Sequence, residues 1–137
     1  MIKKSIKFVI ITVIILTILT ASSLATFRSS DYIIRTDAYI SPGYQSGQIF
    51  IEYSITGTGT MSKIGASVIH LYKADGSFVQ SYSYLTTPSM MGYTTDYHDG
   101  YVVYNNASPN EHYYAVVTLI AKNSNGSDSC DQYTPIY

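Results

Sequence analysis

The stretch Gln48-Ile49-Phe50-Ile51-Glu52-Tyr53-Ser54-Ile55-Thr56 decides the fold class. Ile49, Ile51, Tyr53 and Ile55 share one parity, while Gln48, Glu52, Ser54 and Thr56 share the other; Phe50 is the exception. Successive side chains of a strand point to opposite faces, so this alternation predicts a strand with one buried face. The two glycines of Thr56-Gly57-Thr58-Gly59-Thr60 are expected to break it.

Working outward, period-two patterning recurs and no segment carries a helical stripe. Ala66 to Lys73 predicts a strand with Ile69 and Leu71 as its core pair, and Phe78 to Tyr84 predicts its return. Ala74-Asp75-Gly76-Ser77 lies between them, and Asp-Gly joining two β-rich runs is a strong hairpin signal. Leu85 to Thr95, with Pro88, Met90, Met91 and Gly92, reads as a crossing loop in which the methionines are core filler. Gly100 to Tyr104 reads as a short strand. His112 to Ala121 is apolar on both faces and predicts a central strand covered on both sides. Tyr32 to Ile40 and Gln132 to Ile136 complete the set as a first strand and a last edge strand. About seven short strands with turns every 8–12 residues predict an all-β, immunoglobulin-like antiparallel sandwich. Tyr113-Tyr114-Ala115 falls where a tyrosine corner would tie a hydroxyl to upstream backbone.

The chain's start has a different logic. Lys3, Lys4 and Lys7 precede the apolar run Phe8 to Leu19, and Ser23-Leu24-Ala25 fits the small-x-small rule for cleavage after Ala25. Residues 1–25 therefore read as a secretory signal peptide and residues 26–137 as a single domain. The alternative is a retained anchor over residues 8–25, but spanning a bilayer takes about 20 mostly apolar residues. Uncleaved, that segment would be the protein's one link to a membrane. No cysteine near the cut would carry lipid, and Tyr133-Thr134-Pro135-Ile136-Tyr137 shows no apolar tail with a basic stop.

Export changes the charge balance. Of eight Lys and Arg, three lie in the leader; five remain against nine acids, a net charge of −4. The remaining bases, Arg28, Arg35, Lys63, Lys73 and Lys122, are scattered, which speaks against nucleic acid. Cys130 is the one cysteine, so no disulfide forms within the chain. It lacks an activating neighbour and reads as structural, although an exported lone thiol could bridge two chains.

Catalytic signatures are missing: there is no HExxH, GxSxG, phosphate loop or paired-cysteine metal spacing. Asp96, His98 and Asp99 form the one acid–imidazole cluster, a candidate metal or acid–base site with His112 as a further member. The plainer reading is a polar loop in which Asp99-Gly100 turns and His98 caps. Asn123 to Asp128 lacks the ligand pattern of a calcium loop and reads as a turn. Glu52 and Glu111, the two glutamates, are not marked as a glycosidase pair. No cofactor is called for.

Tyrosine is the compositional oddity, with fifteen copies and no tryptophan. Flat amphipathic tyrosines suit recognition faces for sugars or proteins, yet tyrosine is also an ordinary strand former. Tyr72, Tyr82, Tyr84 and Tyr104 are the candidate aromatic surface, joined by the Leu85–Thr95 loop.

Met61-Ser62-Lys63-Ile64-Gly65-Ala66-Ser67, Ile69-His70-Leu71-Tyr72, Met90-Met91-Gly92, His98-Asp99-Gly100 and Tyr113-Tyr114-Ala115-Val116-Val117-Thr118 occur in that order. Together, over roughly residues 39–128, they resemble a family of small secreted proteins of Firmicutes, clostridia and relatives, of unknown function. The resemblance implies a Gram-positive exported β-domain and transfers no activity or site. The expected function is thus a secreted, non-catalytic binding module at the cell surface or in the medium, its partner a protein or cell-envelope glycan. A self-associating envelope factor, assembling through the Gln132–Ile136 edge or Cys130, is the alternative. A small hydrolase or metalloprotein using Asp96, His98 and Asp99 is the third reading.

Overall fold

The computed structural model describes residues 30–137; the leader and its cleavage site at Ala25 lie outside the described residues. Eight strands follow in order: β1 Ile33–Pro42, β2 Ile49–Met61, β3 Lys63–Lys73, β4 Phe78–Ser83, β5 Met91–Gly92, β6 Thr95–Tyr104, β7 Tyr113–Asn123 and β8 Gly126–Tyr133. One sheet has the order β1-β2-β6; the other has the order β4-β3-β7-β8, with β5 pairing β3. All pairings are antiparallel. The two sheets face one another as an all-β sandwich, and one hydrophobic cluster fills the space between them.

The alternation of residues 48–56 builds that core. Ile49, Ile51, Tyr53 and Ile55 on β2 face Ile64, Ala66, Ile69 and Leu71 on β3 and Ala115, Val117, Leu119 and Ala121 on β7. Most of these side chains are fully buried. Each buried Ile, Leu or Val among them is worth about 1.5–3 kcal/mol of transfer free energy, and together they set the register, because a one-residue slip would turn the apolar row to solvent.

The hairpin of β3 and β4 closes as the Asp-Gly signal predicts. The Asp75 carboxylate accepts from Ser77 N–H at 2.8 Å and from its hydroxyl, and Gly76 takes φ +88°. These hydrogen bonds lower the Asp75 pKa below its ordinary value. Asn123 performs the same service between β7 and β8, its Oδ1 accepting from Asn125 N–H at 2.8 Å and Gly126 N–H at 3.2 Å. Tyr113 is buried, and its hydroxyl accepts from Ser108 N–H at 2.9 Å, the backward tie expected at that position.

Four expectations need correction. The glycines at 57 and 59 do not end β2, which runs on to Met61 with an irregular register after Thr56. β6 begins at Thr95, so Asp96, His98 and Asp99 lie on a strand and Asp99-Gly100 is no turn. β7 is covered on one side only: Tyr113, Ala115, Val117, Leu119 and Ala121 are buried, while Tyr114, Val116, Thr118 and Ile120 are half-buried on the outer face. The last strand precedes its expected place, ending at Tyr133.

The crossing segment holds a one-turn 3₁₀ helix, Pro88–Met90, before β5. Met90 and Met91 are buried, as core filler should be. They seat against Gly65, which adopts φ +150° where a side chain would strike Met90 O.

Candidate functional site

Alternation along β1, β2 and β6 that buries one face must expose the other, and in register it assembles three rows there. Tyr39, Glu52 and Tyr101 are cross-strand neighbours in the first row. Asp37, Ser54 and Asp99 form the second, and Arg35, Thr56 and Tyr97 the third. Neighbouring strands lie about 4.8 Å apart, so Tyr39 and Tyr101 flank Glu52 at roughly 9–10 Å from one another. Phe50 and Tyr44 extend the aromatic line beyond the first row, with Phe50–Tyr101 centroids at 5.3 Å and Tyr44–Phe50 at 5.2 Å.

These rings are reachable. Tyr39 and Tyr97 each expose 47% of their surface, Tyr101 59% and Tyr44 94%. Tyr39 and Tyr97 make no ring contact with another aromatic side chain among the described residues. Between the rows lies a shallow depression of about 260 Å³ lined by Asp37, Tyr39, Glu52, Tyr53, Ser54, Tyr97, Asp99, Gly100 and Tyr101.

Gly100 lies cross-strand from Tyr53, and a Cβ there would collide with the Tyr53 hydroxyl. That hydroxyl is buried without a hydrogen-bond partner among the described residues. Burial, reinforced by the Asp99 charge, pushes its pKa far above the ordinary phenol value.

The carboxylates on this face are weakly compensated. Glu52 accepts from the Ser41 hydroxyl at 2.5 Å. Among the described residues the ion pair is Lys73–Glu111 at 3.3 Å, which involves none of the three rows. Like charges on neighbouring strand positions oppose folding. Asp37, Glu52 and Asp99 are nonetheless spread too widely to act as one ligand set: no group of three His, Cys, Asp or Glu among the described residues could hold a metal ion.

The residues singled out from sequence are distributed differently. Asp99 lies in the depression, but His98, one position earlier on β6, turns inward: its Nε2 is 3.1 Å from Ser89 O, and its ring lies against Gly65 and Gly92. Strand alternation thus separates His98 from Asp99, and Asp96 is exposed near the strand's start. His112 is elsewhere, with Nδ1 3.2 Å from Tyr137 O.

Of the four tyrosines, Tyr72 is on the outer face of the larger sheet, stacked on Tyr114 at 5.3 Å and met edge-on by Phe78 at 5.9 Å. Tyr82, Tyr84 and Tyr104 pack against the core instead. The Tyr82 hydroxyl donates to Val103 O at 3.0 Å, and burial raises its pKa to about 12. Tyr84 lies under Lys63 Nζ at 3.7 Å. In the crossing segment Leu85 and Tyr93 are exposed.

Sequence reasoning missed Tyr39, Tyr97 and Tyr101. The signal was available as shared parity, once β6 is extended back to Thr95. No family model matches the chain, and neither a characterised protein nor a solved structure matches it.

Proposed function

We propose that this chain is an exported, non-catalytic binding module that engages a polymer of the cell envelope through the outer face of the β1-β2-β6 sheet. In this reading residues 1–25 direct export and are removed after Ala25, and the domain works at the surface or in the medium of a Gram-positive cell. The resemblance to small secreted proteins of Firmicutes agrees with that placement. The strand order supports an immunoglobulin-like assignment, since strands one, two and six share one sheet and three, seven and eight the other.

The observation that carries the proposal is the open tyrosine set, Tyr39, Tyr97 and Tyr101, spaced around three carboxylates on one sheet face. Phenol rings offer apolar faces and polar edges at low entropic cost. The catalytic alternative has little support, because His98 and Asp99 point to opposite faces of β6. The self-associating alternative is also weakly supported. Asp128 and Asp131 charge the β8 edge, and the Cys130 thiol packs toward the core.

The test is co-sedimentation of the exported protein with purified envelope from the producing cells, comparing the wild type with Tyr39→Ala/Tyr101→Ala. The wild type should pellet with the envelope and the double variant should stay in solution. Equal partitioning of the two proteins would refute the assignment of this face.

A further inference from the structure

The chemistry of this face specifies its occupant more narrowly than "an envelope polymer". We infer that the ligand is a polysaccharide carrying free, positively charged amino groups; this rests on the binding-module reading above.

Charge complementarity on an aromatic floor selects this ligand. The three rows hold Asp37, Glu52 and Asp99, and Arg35 at the far row forms no ion pair with any of them among the described residues. An ammonium group placed over the depression would meet carboxylates and, at its edges, the exposed rings of Tyr39, Tyr97 and Tyr101. Cations are attracted to the faces of such rings, and each exposed contact of either kind strengthens binding by about two- to fivefold.

The shape decides between a glycan and a basic protein. The depression is shallow, and its side-chain lining is phenols, carboxylates and a serine hydroxyl, with no aliphatic residue. A protein partner normally centres its interface on a packed, desolvated apolar anchor and covers about 800 Å² per side. A sugar chain asks for the opposite: hydroxyl and amino groups that donate to carboxylates, and flat C–H faces laid on phenol rings. Tyr39 and Tyr101, two inter-strand spacings apart with Glu52 between them, suit two such faces with a donor between.

The experiment titrates the exported full-length product with three probes, a glucosamine oligosaccharide, its fully N-acetylated form, and a lysine-rich peptide, each by calorimetry at low and physiological salt. The glucosamine oligomer should bind at least about tenfold more tightly than the acetylated one, and should weaken as salt rises. Asp37→Asn/Glu52→Gln/Asp99→Asn should erase that preference, while Tyr39→Ala/Tyr101→Ala should weaken both oligosaccharides. Removing surface charges that repel one another should not unfold the domain, and the single variant Glu52→Gln gives a second, milder readout.

Equal binding of the two oligosaccharides would overturn the charge inference and leave the tyrosine face standing. Binding of the peptide alone would overturn it in favour of a basic protein. Binding of none of the three, alongside retained envelope co-sedimentation, would overturn the ligand class without touching the binding-module reading. Loss of co-sedimentation as well would remove both.

Discussion

Substituting Gly65 by alanine should be the most destabilising single-methyl change in the domain, and the structure permits its cost to be divided. Two terms act there. The backbone holds φ +150°, a region that L side chains rarely occupy, and such strain costs roughly 1–3 kcal/mol. The added Cβ would also run into Met90 O, with Met91 Cα at 2.9 Å and His98 Cδ2 at 3.1 Å. Two of these neighbours are backbone atoms of the crossing segment, and overpacking of that kind costs about 1–3 kcal/mol more. The sum, about 4 kcal/mol, is a large share of the 5–15 kcal/mol that holds a typical domain folded. Gly76→Ala isolates the first term: φ is +88°, but nothing lies within 4 Å of the new Cβ, so about 1–2 kcal/mol is expected. Gly59→Ala removes both terms, since its Cβ also meets nothing; its effect should lie near zero, or on the stabilising side through the unfolded chain. Urea unfolding followed by tyrosine fluorescence would measure all three. If Gly65→Ala fell within 1 kcal/mol of Gly76→Ala, the close packing of the crossing segment on β3 would not be what fixes that glycine.

Tyr82→Phe removes the hydrogen bond to Val103 O that links β4 to β6 and should cost about 1 kcal/mol in the same assay. Tyr82 shares the alkaline behaviour with the more strongly raised Tyr53: unfolded phenols lose their proton near pH 10, whereas the folded Tyr82 keeps its proton to about 12. The folded state binds more protons in that window, so stability should fall from pH 10 upward, with a shallower fall in Tyr82→Phe; a flat wild-type profile between pH 10 and 12 would contradict this. Burial likewise raises the Cys130 thiol pKa, so thiol-reactive dyes should label it slowly in native protein and quickly in urea. Non-reducing electrophoresis of the exported protein should show monomer, and Cys130→Ser should leave the apparent size unchanged.

The core was legible because β-structure writes burial into the sequence at period two. Ile49, Ile51, Tyr53 and Ile55 are four residues of one parity, and all four are buried. Turn chemistry was equally plain at Asp75-Gly76 and around Asn123, where side-chain acceptors stand in for backbone ones. The glycines at 57 and 59 misled because glycine weakens a strand without ending it: residues 57–60 of β2 bulge opposite Asp96 alone. β2 and β6 resume pairing at Met61 and Thr95. β6 misled for a related reason: Asp96, Asp99 and Gly100 are typical turn residues, and nothing local shows that Ile55 and Thr56 wait opposite as partners for His98 and Tyr97.

That single misreading of β6 also concealed the site. Read as a loop, Asp96, His98 and Asp99 look like a cluster, since loops let neighbours converge; read as a strand, alternation sends His98 into the sandwich and Asp99 out of it. The same alternation sets Tyr97 and Tyr101 beside Asp99 on the outer face. It also explains why fifteen tyrosines gave so blurred a signal: phenols serve the core in Tyr53 and Tyr113, the sheet joints in Tyr82 and Tyr104, and solvent in Tyr39, Tyr97 and Tyr101. Composition adds these roles together, and only cross-strand register separates them. Tyr39 and Tyr101 become a pair through Glu52, the residue both have as a cross-strand neighbour. A one-residue slip of β6 would turn Tyr97, Asp99 and Tyr101 into the sandwich, so the register that buries the core is also the one that builds this face.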